Sequence, residues 1–415
     1  RADAAQSVDQ LLSRSSDLLN RAELRGAAHV LAHAGHGNYL GLQSSLAADG
    51  AIGFDLRFDH EALFMQMAAA GVVAAASGSS AIAQQWWPPE VDRTEYLERA
   101  IDLSADVATA ALAVHGLVST RAGFSSGSLP TATTFDVYAR ATIDPPAYLP
   151  SFPISPPVVE AIDRFFAVSR SITLDPFSRP VPTLHPLLAW GGAHSGLDSV
   201  LSTYDQPGGN AMAPFGARAL LEEAARTHWR YSAGPADFEA RATQFFDEFR
   251  ARRTKAINRL QSDGIARQAA EQFFSLPGFV DPGTITTAVT AGRRPIPSVT
   301  AMIRDLGTGF EEPGWLVVAY SLLSQATHAT PLGLLHGVSV RSNGGGLHIG
   351  SSTPQMVALS LDVACFASSV TLGVAALVLT DMTDEALDYR QLLSAAASAV
   401  HNEARRVHGL DLGTS

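Results

Sequence analysis

A chain of 415 residues is too long for one simple core and fits two or three domains. Hydrophobic residues make up 46% and charged ones only 17%, which excludes a disordered polymer and favours large buried faces. The net charge of −11 argues against nonspecific DNA binding, which needs a basic surface.

Lys255 is the single lysine, the other basic residues are arginines, and alanine is abundant. That bias matches a high-GC bacterial genome of the actinomycete kind. Cys365 stands alone and rules out an internal disulfide. It lies in the apolar run LDVACFASSV, so the expectation is a buried, inert thiol and a cytoplasmic location. The chain opens on Arg1, not Met, so its native start is expected upstream. The first residues form an amphipathic pattern, not a signal peptide.

Helical periodicity dominates from end to end and predicts an all-α protein, a multi-helix bundle. In chain order the predicted helices are 4–34, 60–85, 94–118, 156–170, 216–231, 236–261, 264–275, 315–337, 354–379 and 384–408. Thr353 before Pro354 is a strong start signal, an N-cap followed by proline at the first helical position. Asp237 and Glu239 complement the dipole at the start of the 236 helix. Three stretches punctuate the pattern: 119–155, 174–186 and 276–297, all rich in Pro with Gly, Ser or Thr. SVRSNGGGLHIG predicts a short hairpin around its NGG.

Residues 62–91, 313–340 and 363–380 carry no Asp, Glu, Lys or Arg apart from Glu90 near the end of the first. Each is long enough for a bilayer, which needs roughly 20 apolar residues. Ser, Gln, Thr and Gly dilute them, and flanking basic clusters are missing, so buried helices of a bundle are expected instead of membrane spans.

HGNYLGL at 36–42 and HATPLGL at 328–334 share a His, three residues, then Leu-Gly-Leu. Tyr96 pairs with Tyr389, and HGL closes both blocks, at an offset that stays between 292 and 294. The pattern predicts an internal duplication. The expected organisation is a helical unit at 1–118, a connection at 119–155, a helical linker region at 156–312 and a second unit at 313–415. A cleft between the related units is a natural ligand site.

His29, His33 and His36 share a helical stripe, and an i, i+4 pair of that kind can bind a metal. No HExxH occurs and the second unit keeps only His328, so no metal site is predicted. His328 has Tyr320 and Ser324 at i−8 and i−4, near one face of a helix that Pro331 disturbs. A neutral His beside a hydroxyl can serve as acid or base. Upstream, Arg218, Glu222 and Arg226 form a ladder at spacing four, with apolar neighbours that bury part of it. The candidate catalytic residues are therefore His328 and Glu222. The candidate ligand-binding residues are Arg218, Arg226, Tyr320, Ser324 and His36.

RALLEEAARTHW followed downstream by YSLLSQATHATPLGLL resembles a group of mostly actinobacterial all-helical proteins with an Arg-x-x-x-Glu helix and then a Leu-Ser-x-x-x-His helix. The resemblance spans residues 216–337. It implies that Arg218, Glu222, Ser324 and His328 converge, and it implies no particular activity.

Other constellations are poorer. HEPN-type ribonucleases carry Arg-x4–6-His on a helix, whereas Arg179 to His185 and Arg341 to His348 fall in Pro- or Gly-rich loops. An isoprenoid cyclase needs carboxylates for magnesium. Asp55, Asp59, Glu61, Asp102 and Asp106 do not form its aspartate-rich motif. SNGGGLHIG lacks the lysine of a phosphate loop. His194, Ser195 and Asp198 are too close in sequence for a triad, and no nucleophile elbow surrounds them. The expectation is a small-molecule ligand bound in an interhelical polar pocket, its transformation there left open, with no DNA partner and no membrane. The cofactor is undetermined, and a homodimer is allowed. The alternatives are a non-enzymatic sensor or scaffold and a HEPN-like ribonuclease.

Overall fold

The computed structural model describes residues 155–172, 184–204, 212–232, 296–309, 313–328, 338–340, 347–349, 353–380 and 382–408, with single positions between them. The first predicted helical unit, with His29, His33, His36 and Tyr96, lies outside these residues, as do the acidic residues at 55–106, Arg179 and Arg341. The duplication therefore has only its second half among the described residues.

Seven helices are described, and they pack into one all-α bundle: α1 (Pro156–Ser169), α2 (Leu184–Tyr204), α3 (Ala213–Tyr231), α4 (Val299–Gly307), α5 (Trp315–Thr327), α6 (Pro354–Leu379) and α7 (Asp384–His408). Between α5 and α6, β1 (Val338–Val340) pairs antiparallel with β2 (Leu347–Ile349), with Ser339 opposite His348. This is the hairpin that the NGG turn predicts.

The centre of the bundle is α6. It spans 26 residues, about 39 Å at the ordinary rise, and is apolar on nearly every side. A helix hydrophobic all round has to be covered all round, and α1, α2, α3, α5 and α7 do so. By length and composition alone α6 is able to cross a bilayer, but 78% of its most apolar window is buried inside the protein. The side-chain hydroxyl of Thr353 accepts from the Met356 amide, so this helix starts where the Thr-Pro signal places it. Cys365 is free and buried in it, and burial, with the nearby Asp362 charge, pushes the thiol pKa up.

The other helices are amphipathic. In α1 the buried residues Val158, Ala161, Ile162 and Phe165 recur at helical spacing. One core joins them to Trp190 and Leu197 of α2, Leu221 of α3, Ile303 of α4, Leu316 of α5 and Leu393 of α7. The helices of 156–312 thus pack directly on those of 313–415.

Two helices are absent from the sequence expectation. Helix α2 contains WGGAHSG, and glycines are poor helix formers. Tertiary packing overrides that preference. A Cβ at Gly196 would lie 2.8 Å from Leu220 Cδ2, so the missing side chain is what lets α2 approach α3. Helix α4 is short and follows a Pro-rich break, yet the Ser298 hydroxyl caps it by accepting from the Ala301 amide. Helix α5 ends at Thr327, ten residues before the predicted boundary. The residue before a proline disfavours helix, and Pro331 is close behind. His328 becomes the C-cap, and Thr330 turns back onto the Gln325 carbonyl.

Tyr389 of α7 is 3% exposed and donates to the Ser169 carbonyl at 2.7 Å. That carbonyl belongs to the last turn of α1, where helices leave acceptors without intrahelical partners. Replacing Tyr389 by Phe strands it. We expect a loss of about 1–3 kcal/mol in urea denaturation with an unchanged fold by circular dichroism. A loss below about 0.3 kcal/mol would show that the bond holds nothing.

Candidate functional site

Two of the buried polar features of the bundle bear on a site. The first joins α3 to α5 and gathers most of the residues marked by the sequence. Glu222 is 1% exposed, and both its oxygens are engaged. Arg218 Nε lies 3.1 Å from Oε1 as an ion pair, and Arg226 Nη2 donates to Oε2 at 3.3 Å. From α5 the Tyr320 hydroxyl donates to Oε1 at 3.1 Å. The guanidinium of Arg218 also donates to Thr327 Oγ1 at 2.8 Å and sits 5.6 Å from the Tyr320 ring centre. Arg218, Glu222, Arg226 and Tyr320 therefore converge. Ser324 lies on the same helix, its hydroxyl buried without a hydrogen-bond partner among the described residues. His328 caps the end of that helix and is exposed. His36 lies outside the described residues.

A carboxylate with three polar groups around it is a strong fastener. This cluster pins α5 against α3. The consequence is at the other end of α5, where Trp315 is held against α6 and α7.

There the second feature opens. A cavity of about 440 Å³ runs between α6 and α7, closed by Leu306 and Gly309 at the end of α4, Trp315 of α5 and His228 of α3. This falls in the size range of small-molecule sites. Its walls are two helical stripes. On α6 they are Asp362, Phe366, Ser369, Val370 and Val374, at helical spacing. On α7 the facing stripe runs from Arg390 through Ser394, Ser398 and His401 to Arg405.

Asp362 carries the chemistry of this cavity. It is the one charged residue in α6 and is 1% exposed. His401 Nδ1 lies 2.8 Å from its Oδ2. With the carboxylate ionised, Nδ1–H donates, which fixes the tautomer and leaves Nε2 as the basic nitrogen. The imidazole stands edge-on to Trp315, ring centres 4.8 Å apart, and Trp315 is in turn edge-on to Phe366 at 6.4 Å. These contacts restrict the ring's rotation. Two more polar atoms are buried here without a hydrogen-bond partner among the described residues: Asp362 Oδ1, an acceptor, and Trp315 Nε1, a donor.

Electrostatics follow the burial. Desolvation pushes the Asp362 carboxyl above the ordinary carboxylate range, while the His401 hydrogen bond and charge, and then Arg405, pull it back. Burial likewise lowers the pKa of His228. Asp305 opposes that, and Arg390 and Arg241 add to it. His228 is therefore a neutral imidazole near pH 7. Among the described residues no group of three His, Cys, Asp or Glu is placed to hold a metal ion.

Other marked residues stay apart from the cavity lining. Both oxygens of Asp198 accept from Arg170 in an exposed pair, at 3.1 and 3.0 Å, and His194 packs edge-on to Trp190. Asp362 and His401 were not among the sequence candidates. One signal pointed to them: a single carboxylate inside an otherwise uncharged apolar helix has to be partnered or neutralised.

Comparison of the chain with protein families, with curated proteins and with solved structures gave no match. The geometry of the site alone carries the functional reading.

Because the folded chain holds the Asp362 proton to a higher pH than the unfolded chain does, this group stabilises the fold most in acid. That contribution is lost as pH rises from the ordinary carboxylate value, roughly 4, through the raised one. Asp362→Asn keeps an oxygen for His401 and removes the charge. Its stability relative to the original protein is therefore expected to climb between pH 4 and pH 7 in denaturant titrations. A variant whose relative stability falls over the same range would make Asp362 an ordinary structural ion-pair partner, its pKa held down and not up.

Proposed function

We propose that this protein binds a small organic molecule in the cavity between α6 and α7 and that the Asp362–His401 pair performs acid–base chemistry on it. The observation that carries the reading is the 2.8 Å contact of Asp362 with His401 on the wall of the 440 Å³ cavity. A buried carboxylate costs stability unless well paired. Here one oxygen is paired and the other has no partner among the described residues, in a helix that is otherwise uncharged. Sites that keep such a cost commonly do so for function.

The proton transfer itself is simple. His401 Nε2 takes a proton from an acidic O–H, N–H or C–H of the bound molecule. The imidazolium that forms is stabilised by Asp362, whose buried negative charge is worth more than one in water. Return of the proton to another atom of the same molecule completes an isomerisation, and its return to the original atom is a futile exchange. His228, neutral and on the far wall, is a second group able to accept a hydrogen bond from the ligand.

The test is a small-molecule screen watched through the His401 ring signals by NMR. Ligands of the cavity shift those signals and lose about tenfold or more in affinity when Ser398→Phe fills the exposed rim of the groove. Incubation in deuterated water is expected to label an acidic C–H of a bound ligand, and His401→Gln is expected to keep binding and lose labelling. Ligands that bind equally well to Ser398→Phe, or labelling that survives His401→Gln, would sink the reading.

A further inference from the structure

The two stripes that line the cavity belong to antiparallel helices joined by a short turn, so their register is legible. Asp362 faces His401, and Gly373 faces Arg390, where a Cβ would lie 2.9 Å from the arginine Cγ. Eleven residues separate the two crossings on either helix, which is roughly 16 Å along the groove. The groove thus has two ends. One holds the acid–base pair, with Trp315, Asn402 and Arg405. The other holds Arg390 and, within its electrostatic reach, His228.

Between the ends the walls differ. The α6 side is Phe366, Val370 and Val374, and the α7 side carries Ser394 and Ser398. The lining includes two arginines and one carboxylate, on a chain of net charge −11. A positive cavity in an acidic protein is a local feature with a local cause. Among the described residues no carboxylate is paired with Arg390, and its stem is seated against the α6 backbone at Gly373, where any side chain would displace it. Arg390 itself is exposed, so its stem is seated on α6 while the guanidinium stands at the open mouth of the groove.

Resting on the cavity reading above, we propose that the ligand is an elongated organic anion: its carboxylate or phosphate meets Arg390, its apolar body lies along Phe366, Val370 and Val374, and its reacting group reaches His401. Arginine suits either anion because its planar fork donates two parallel hydrogen bonds. A cationic group is repelled at the Arg390 end, and a neutral one leaves the guanidinium with water. The proton taken by His401 then comes from a group remote from the anion, so the anionic end is an address and not the reacting centre.

Isothermal titration with octanoate and octan-1-ol tests this on the full chain, with the His401 ring signals followed in parallel. Octanoate is expected to bind about tenfold tighter than the alcohol, with the advantage shrinking in high salt. Arg390→Gln is expected to remove the advantage while leaving the alcohol's affinity unchanged. Arg390→Lys is expected to keep part of it, and Gly373→Ala to weaken octanoate alone by moving the guanidinium. His401→Gln is expected to leave the preference for the anion intact. Equal binding of acid and alcohol that still shifts His401 would overturn the anion proposal and spare the cavity reading. No binding of either, with His401 unmoved, would overturn both. A preference for octanoate that persists in Arg390→Gln would assign the anion elsewhere and also overturn the proposal.

Discussion

A single ionisable side chain sits in the helix on which most of the bundle is built. Helix α6 is covered by five neighbours, and Asp362 is the only charge along its length. Bringing that carboxylate into the core costs several kcal/mol, which its contacts have to offset. The offset comes from α7, through the imidazole of His401, with Arg405 a weaker second contribution. Every feature of the cavity follows from this arrangement. The cavity lies along the two helices that carry the pair, and residues at the ends of α3, α4 and α5 line it.

The second polar cluster serves the first. Glu222, between Arg218 and Arg226 and under the Tyr320 hydroxyl, fastens α5 to α3. Both helices then deliver a residue to the cavity: Trp315 at the start of α5 and His228 near the end of α3. The contrast between the carboxylates is instructive. Glu222 is met by two arginines and a tyrosine hydroxyl, while Asp362 keeps an oxygen without a partner among the described residues and a pKa pushed upward by burial.

Much of the architecture is readable from residues alone. Thr353-Pro354 marks the start of α6, the uncharged run after it marks a core helix, and the spacing of Arg218, Glu222 and Arg226 marks a buried ladder. Helix α2 was illegible because its glycines serve a contact with Leu220 that no local pattern encodes. The reach of α5 was overread because apolar periodicity continues past the proline that stops the helix. The cavity pair was missed for a different reason. Asp362 and His401 are 39 residues apart on separate helices, and neither sits in a motif. What makes them a site is the crossing of α6 and α7, a tertiary fact. Attention to the histidine of the LGL repeat, His328, led to the exposed end of α5, whereas the histidine that meets a buried acid belongs to the last helix.

The most direct test of the central claim is the protonation of the two ring nitrogens of His401, read from their 15N shifts at pH 7.5 to 8. An Nδ1–H bonded to Asp362, with a bare Nε2 that responds to ligand, is the predicted result, and Asp362→Asn should leave the tautomer mixed. A ring protonated on Nε2, with Nδ1 accepting from a neutral Asp362 carboxyl, would make the pair an inert core contact and would contradict the account.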